Sequence, residues 1–266
     1  MFPAIGALGI GQISSRDIWE VIEPLVGLRK IETAQRVRAA IHNVFDYAMV
    51  HDLVKFNPAQ AVAKQIPMKV VIHRPAMTEP KEVAHLLRVV DGYKGSFVVV
   101  IALKVSMYVF QRPGEIRAMR WQDVDLVNAE WRYLVTKTKF KHIVPLAKQV
   151  VELLTVIKAV TGKGEFVFPS QRNDGRCLSE NGVRTALRSM GFANEDITPH
   201  GFRTIASTLL NEQGWNPDAI ERQLGHLPRD KVRLAYNRAQ YLPERKEMMQ
   251  AWADYLDDLK GQFLAS

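Results

Sequence analysis

Prolines placed to open helices constrain this chain more than any other feature. Arg112-Pro113-Gly114-Glu115, Thr198-Pro199 and Asn216-Pro217 each read as a helix start. Proline suits the first helical position, where its missing N–H forfeits no hydrogen bond, and Thr or Asn suits the cap before it. The first of these helices is predicted to run to Trp121. The second places His200 and Arg203 three apart, on one face of its first turn. The third stops at Gly225, with His226 just beyond its end. A helix N-terminus already favours an anion, so a histidine and an arginine added there make a phosphate clamp.

The remaining pattern is mainly helical with a small antiparallel sheet. Ser15–Leu28 and Glu32–Leu53 read as two helices. In the second, Ala34, Val37, Ile41, Val44, Phe45 and Ala48 recur at three- and four-residue steps as one apolar stripe. Its other face carries Arg36, Arg38 and His42, either a solvated face or a surface laid against phosphates. Lys64–Thr78 holds Pro67 and Pro75 with little periodicity and reads as a linker. The expected division is 1–72, a small helical domain that looks clipped at its start, and 73–266, a larger domain. Helices are expected over Thr78–Val90, Phe97–Phe110, from Ser179 to Met190 and over Pro243–Lys260. Trp131–Thr136 and His142–Leu146 read as strands joined by Lys137-Thr138-Lys139-Phe140-Lys141, and Phe166-Val167-Phe168 as a third. Met248, Met249, Trp252, Leu256 and Leu259 share one face of the last helix, a stripe for packing or for a partner helix.

Bulk properties narrow the function. The chain has 266 residues, a net charge of +8 and a pI near 9.6, a balance that favours a polyanionic partner. One cysteine, Cys177, permits neither an internal disulfide nor a thiolate metal cluster and fits a reducing compartment. Met1–Gly11 is apolar but lacks a basic lead-in, so neither a signal peptide nor a membrane span is expected. No His-Glu-x-x-His, no Asp-x-Asp beside a histidine and no Gly-rich phosphate loop occurs, so no metal or nucleotide cofactor is expected.

Cleaving a phosphodiester without metal needs a nucleophile, positive charge on the non-bridging oxygens and an acid for the leaving 5′-oxygen. Arginine grips a phosphate bidentately and stays charged, and Arg112 and Arg203 stand at two helix starts. Glu115, three residues after Arg112, can pair with its guanidinium and fix it. Lys137, Lys139 or Lys141 on the basic hairpin can supply the proton, and composition does not separate them. His200 and His226 can bond a phosphate or move protons. Tyrosine, with a reference pKa of about 10, becomes a nucleophile only beside such a clamped phosphate. Tyr236 and Tyr241 both meet the need for a phenol in the last third of the chain.

This set resembles the tyrosine recombinase (phage integrase) family, closest to prophage and genomic-island integrases. The likeness runs in the family's chain order. It begins with Arg112 in Gln-Arg-Pro-Gly-Glu-Ile-Arg-x-x-x-Trp and Lys137 eight residues before Pro145 of His-Ile-Val-Pro-Leu. It continues with His200-Gly-Phe-Arg203, His226 in Leu-Gly-His, Ala-Tyr236-Asn-Arg and a terminal Trp-Ala-Asp-Tyr-Leu. The resemblance selects Lys137 over its neighbours and Tyr236 over Tyr241. It leaves Arg36, Arg38, Lys139 and Lys141 as DNA contacts and Glu115 as a support for Arg112.

The resemblance implies the tyrosine-recombinase catalytic fold over 73–266, preceded by a partial core-binding helical domain over 1–72. It implies that full-length members carry a further arm-binding domain upstream. Tyr236 would form a 3′-phosphotyrosyl link that a partner strand's 5′-hydroxyl then attacks, with no cofactor and no metal. The implied partners are double-stranded DNA at core attachment sites, three further copies in a homotetramer on that DNA, and an excision factor. The free protein would be a monomer in the bacterial cytosol, with no membrane role. A non-catalytic DNA-binding remnant and a type IB topoisomerase are the alternative readings.

Overall fold

The computed structural model describes residues 2–68, 77–135, 140–171, 175–226 and 240–262. The chain separates into two compact units, Met1–His73 and Arg74–Ser266.

The first unit contains α1 (Phe2–Ile5), α2 (Ser15–Gly27), α3 (Ile31–Val50) and α4 (Ala59–Val62), with 3-10 turns at Ile10–Gln12 and Ala63–Gln65. A reciprocal cap starts α2: Ser14 Oγ accepts from the Asp17 N–H, and the Ser14 N–H donates to Asp17 Oδ2. Ile18 and Ile22 of α2 pack with Ala34, Ile41 and Phe45 of α3 and with Ala59 and Val62 of α4. The predicted α3 stripe is therefore its core face, except that Val44 lies at the stripe's edge and is exposed. Periodicity showed two helices here, because α1, α4 and the 3-10 turns are shorter than the window it needs.

The second unit contains α5 (Pro80–Asp91), α6 (Phe97–Val109), α7 (Pro113–Arg117), β1 (Val124–Asp125), β2 (Glu130–Leu134) and β3 (Lys141–Pro145). Then follow α8 (Lys148–Thr161), α9 (Gly182–Ser189), α10 (Gly201–Glu212), α11 (Pro217–Gln223) and α12 (Leu242–Gln262). The sheet is antiparallel in the order β1-β2-β3, with Trp131 opposite Val144 and Tyr133 opposite His142. Helix α6 is apolar almost all round and is buried in the centre of the unit. The predicted stripe on α12 lies in the same core, and Trp252 meets Phe110 edge-on at 6.0 Å. That face serves packing within the unit.

Four predicted elements came out differently. The helix expected from Ser179 begins at Gly182, with Asn181 at its cap. The first proline-led helix stops at Arg117, not Trp121. Met119 and Trp121 leave it to pair with the chain opposite: the Trp121 N–H donates to the Glu165 carbonyl, and Val167 N–H to the Met119 carbonyl. Phe166-Val167-Phe168 forms isolated bridge contacts with that stretch and no strand. Helix α10 begins at Gly201, because Thr198 to Gly201 closes a turn of its own (Gly201 N–H to the Thr198 carbonyl, 2.7 Å). His200 therefore occupies the cap position, and Arg203 the first turn.

Candidate active site

Two helix ends aim backbone carbonyls at the arginines. The last carbonyls of an α-helix have no partner within the helix and carry the negative end of its dipole. At the end of α6, Phe110 adopts a left-handed backbone (φ 39°) and is fully buried. Such a conformation is strained for a bulky residue and is held here by packing. The Phe110 carbonyl accepts Arg203 Nη1 at 3.0 Å. At the end of α11, the Leu224 carbonyl accepts Arg203 Nη2 at 2.8 Å, and the Gly225 carbonyl accepts Arg112 Nη2 at 3.1 Å. Gly225 has φ 65°, the left-handed stop that glycine supplies most cheaply. A Cβ there would stand 3.4 Å from Arg112 Nη1 and 3.6 Å from the His142 ring.

Arg112 and Arg203 thus share one cradle, although 91 residues of sequence separate them. Arg203 is 4% exposed, and burial together with the charge of Arg112 brings its pKa down to about 10, which keeps it cationic at neutral pH. Arg112 also faces Glu115 at 3.4 Å, the predicted pair three residues apart. The Glu115 carboxylate is buried and accepts the Tyr133 hydroxyl at 2.8 Å. Burial and that carboxylate push the Tyr133 phenol far up from its ordinary value. Tyr133 therefore stays protonated and supports Glu115; as a nucleophile it is unsuited.

His226 completes the group. Its Nε2 accepts Arg203 Nη2 at 3.1 Å, and its Nδ1 donates to Glu221 Oε2 at 2.8 Å, a tautomer assigned from these partners. The structure brings Arg112, Glu115, Arg203 and His226 together. It places His200 on the surface at the cap of α10, one turn before Arg203. Lys141 opens β3 and is exposed. Lys137, Lys139 and Tyr236 lie outside the described residues. In the first unit, Arg36 pairs with Glu32 on an exposed face, and Arg38 reaches the Ala59 carbonyl at 3.5 Å. Tyr241 stands directly before α12 with φ 50°. Among the described residues no group of three His, Cys, Asp or Glu is arranged to hold a metal ion. Nor is any helix among them long and apolar enough to cross a membrane.

Sequence reasoning missed Tyr133 and Glu221. Tyr133 was hidden in an ordinary strand pattern. Glu221, five residues before His226, was a legible carboxylate that spacing on α11 places near that ring.

The fold is shared with solved integrases. It aligns with a lambda integrase(75-356) dimer bound to a COC′ core site at a TM-score of 0.67 and 19% identity, over 90% of this chain and 84% of that one. It also aligns with the Tn1549 transposon integrase in complex with circular intermediate DNA at 0.62 and 18%, over 92% and 87%. Residues 76–242 match the phage integrase family, and residues 1–65 the phage integrase central domain. The integrase of Enterobacteria phage P4 is 35% identical across all of this chain. The prophage integrase IntS of Escherichia coli K12 is 36% identical over 97% of it. The chain belongs to the phage integrase family of tyrosine recombinases. It spans 64% of the length of the P4 integrase and 67% of IntS.

Proposed function

We propose that this chain cuts and rejoins DNA at specific sites through a 3′-phosphotyrosyl intermediate and so integrates or excises a mobile element. The observation that carries the reading is the shared cradle of Arg112, Arg203 and His226. Carbonyls orient both guanidinium groups without cancelling their charge, and among the described residues the direct carboxylate contact in the cradle is that of Glu115 with Arg112. Two cations held this way can neutralise the charge that builds on a pentacoordinate phosphorus.

In the proposed step Tyr236 attacks the phosphorus, a P–O bond forms to its phenolic oxygen, and the bond to the 5′-oxygen breaks. Lys137 gives its proton to that leaving oxygen. The phenolic proton passes to a histidine, His200 or His226. A 5′-hydroxyl from a partner strand reverses the chemistry on the new partner, so no external energy source is needed. Residues 1–72 would be the core-binding domain and 73–266 the catalytic domain. The DNA-bound assembly would be a tetramer of this chain, as the lambda integrase tetramer is on a Holliday junction; the free protein would be monomeric and cytosolic. Arg36, Arg38, Lys139 and Lys141 would contact phosphates, and an excision factor would set direction.

The test is covalent capture on a pool of nicked duplexes with a randomised core, recovered as SDS-stable adducts and sequenced. The wild-type chain is expected to enrich one core sequence, and Tyr236→Phe to recover nothing. Sequence-selective binding with no adduct would favour the DNA-binding remnant. An adduct that survives Tyr236→Phe and disappears in Tyr241→Phe would move the nucleophile.

A further inference from the structure

Behind the cradle lies a second buried arginine that the proposed chemistry does not use. Arg245, in the first turn of α12, has 0% of its surface exposed. Burial and the nearby Arg222 bring its pKa down to about 9, so it remains a cation. Its recorded partners are uncharged oxygens. Nε and Nη2 donate to Gln223 Oε1 at 3.0 and 2.6 Å, Nη1 to the Gln240 carbonyl at 3.1 Å, and Nη2 to the Ile143 carbonyl of β3. Among the described residues no carboxylate pairs with it; a buried cation held only by neutral oxygens is expensive, and an apolar side chain of equal length would fill the space with less penalty.

Gln223 is the last residue of α11, and its backbone carbonyl is claimed as well. Gln111 Nε2 donates to it at 2.6 Å, and His142 Nε2 approaches it at 3.1 Å. Three consecutive carbonyls at this helix end therefore take three sets of donors. Gln223 takes Gln111 and His142, Leu224 takes Arg203, and Gly225 takes Arg112. Helix α11 has seven residues. A helix that short has little stability of its own, so its neighbours must impose its position.

We infer that Arg245 and Gln223 are positioning residues: by pinning the carboxyl end of α11 they set the placement of Arg203, Arg112 and His226. The chain of contact is direct. Arg245 holds the Gln223 side chain from α12 and ties it to β3, Gln111 holds the same residue from the α6–α7 junction, and the next two carbonyls hold the cradle. The functional consequence rests on the strand-cleavage reading above, whereas the geometric one does not.

The experiment compares Arg245→Met, Gln223→Leu and Gln223→Glu in the full chain, with circular dichroism and a melting curve to establish folding. Two readouts are used. The first needs no activity: the guanidinium resonance of Arg203 in ¹⁵N-arginine-labelled protein, assigned through Arg203→Lys. Met at 245 and Leu at 223 should shift or broaden it, and Glu at 223, which keeps both acceptors, should restore it. The second is the single-turnover adduct rate on a captured nicked duplex. At saturating DNA the Met and Leu variants should be about thirtyfold slower, about 2 kcal/mol of barrier. Their DNA affinity should stay within about threefold, and Gln223→Glu should cleave within about fivefold of the parent. A folded Met or Leu variant with an unmoved Arg203 resonance overturns the inference. So does a rate loss that disappears as DNA is raised, or a Gln223→Glu chain as slow as Gln223→Leu. If Arg245→Met does not fold, Gln223→Leu carries the same decision. A wild-type chain that makes no adduct counts against the cleavage reading alone, because the resonance readout still decides the positioning.

Discussion

Two pairs of arginines, one in each unit, show what the sequence alone does not distinguish. Arg36 and Arg38 on α3 and Arg112 and Arg203 in the larger unit all read from the sequence as contacts for phosphate. Arg36 ends in an ion pair with Glu32, with side chains 79% and 48% exposed. Such a pair is worth a few tenths of a kcal/mol and leaves both groups free to rearrange. Arg203 is buried against the carbonyls of Phe110 and Leu224, which orient it and leave its charge intact. A guanidinium bound by carbonyls is a fixed cation, whereas one bound by a solvated carboxylate is half of a neutral pair. The first suits a transition state, the second general attraction to DNA. The widest separation between the pairs should come from Arg203→Ala. The adduct rate is expected to fall by about a thousandfold, as when a fixed oxyanion donor is removed. Duplex binding should be nearly unchanged by electrophoretic mobility shift. An Arg203→Ala chain that cleaves within tenfold of the parent would erase the distinction.

A smaller effect should follow from moving the cradle while every cation is kept. Gly225→Ala places a Cβ at φ 65°, 3.4 Å from Arg112 Nη1. The backbone strain is about 1 kcal/mol, readable as a shift in the urea midpoint. The adduct rate should fall about tenfold, because Arg112 must give way. A stability loss with an unaltered rate would mean that Arg112 has slack, contrary to the picture of a fixed cation.

Acid should loosen the larger unit from behind the cradle. Burial and then Arg245 depress the His142 imidazole to about 3 from an ordinary value of 6.5. A depressed histidine binds fewer protons folded than unfolded between those values. Its contribution to stability is thus complete above pH 6.5 and drains as pH falls towards 3. The slope is up to about 1.4 kcal/mol per pH unit. His142→Asn should flatten the fall in urea stability between pH 6.5 and 5. An unchanged slope would show that His142 titrates normally and is less enclosed than its surroundings imply.

Much of this was legible in advance, for physical reasons. Proline at the first helical position and glycine at the stop are local signals, so the starts of α7 and α11 and the end at Gly225 were readable. Arg112 and Glu115 were found because they occupy the start of α7, and Arg203 because it falls in the first turn of α10, although that helix begins two residues later than its proline suggests. The partners of the arginines were not readable, because they are backbone carbonyls and every residue carries one. Which carbonyl is orphaned and aimed depends on where two helices end in space. Phe110 gave no warning of its left-handed turn, since no glycine marks it. Arg245 did leave a trace: it lies three and four residues before Met248 and Met249, so the buried stripe of α12 begins with a charge. The third strand failed because Phe166-Val167-Phe168 is apolar enough for a strand but faces residues 119–121, which turn away after one bridge.

The smallest expected effect sharpens the comparison from the other side. Arg36→Ala removes one exposed cation and its ion pair with Glu32. If α3 lies along DNA, affinity for the captured duplex should fall a few-fold at low salt. The slope of log affinity against log salt should fall by about 1, the signature of one lost phosphate contact. Saturating the DNA should restore the full adduct rate, since nothing in the cradle has changed. Glu32→Ala offers the converse. Freed of its carboxylate, Arg36 should bind slightly more tightly and keep the parental salt slope. If Arg36→Ala leaves both affinity and slope unaltered, the basic face of α3 is a solvated surface, and DNA attraction in the first unit must come from elsewhere. A slowed rate at saturation would be the more instructive failure, because it would give a solvated, carboxylate-paired arginine a part in the chemical step.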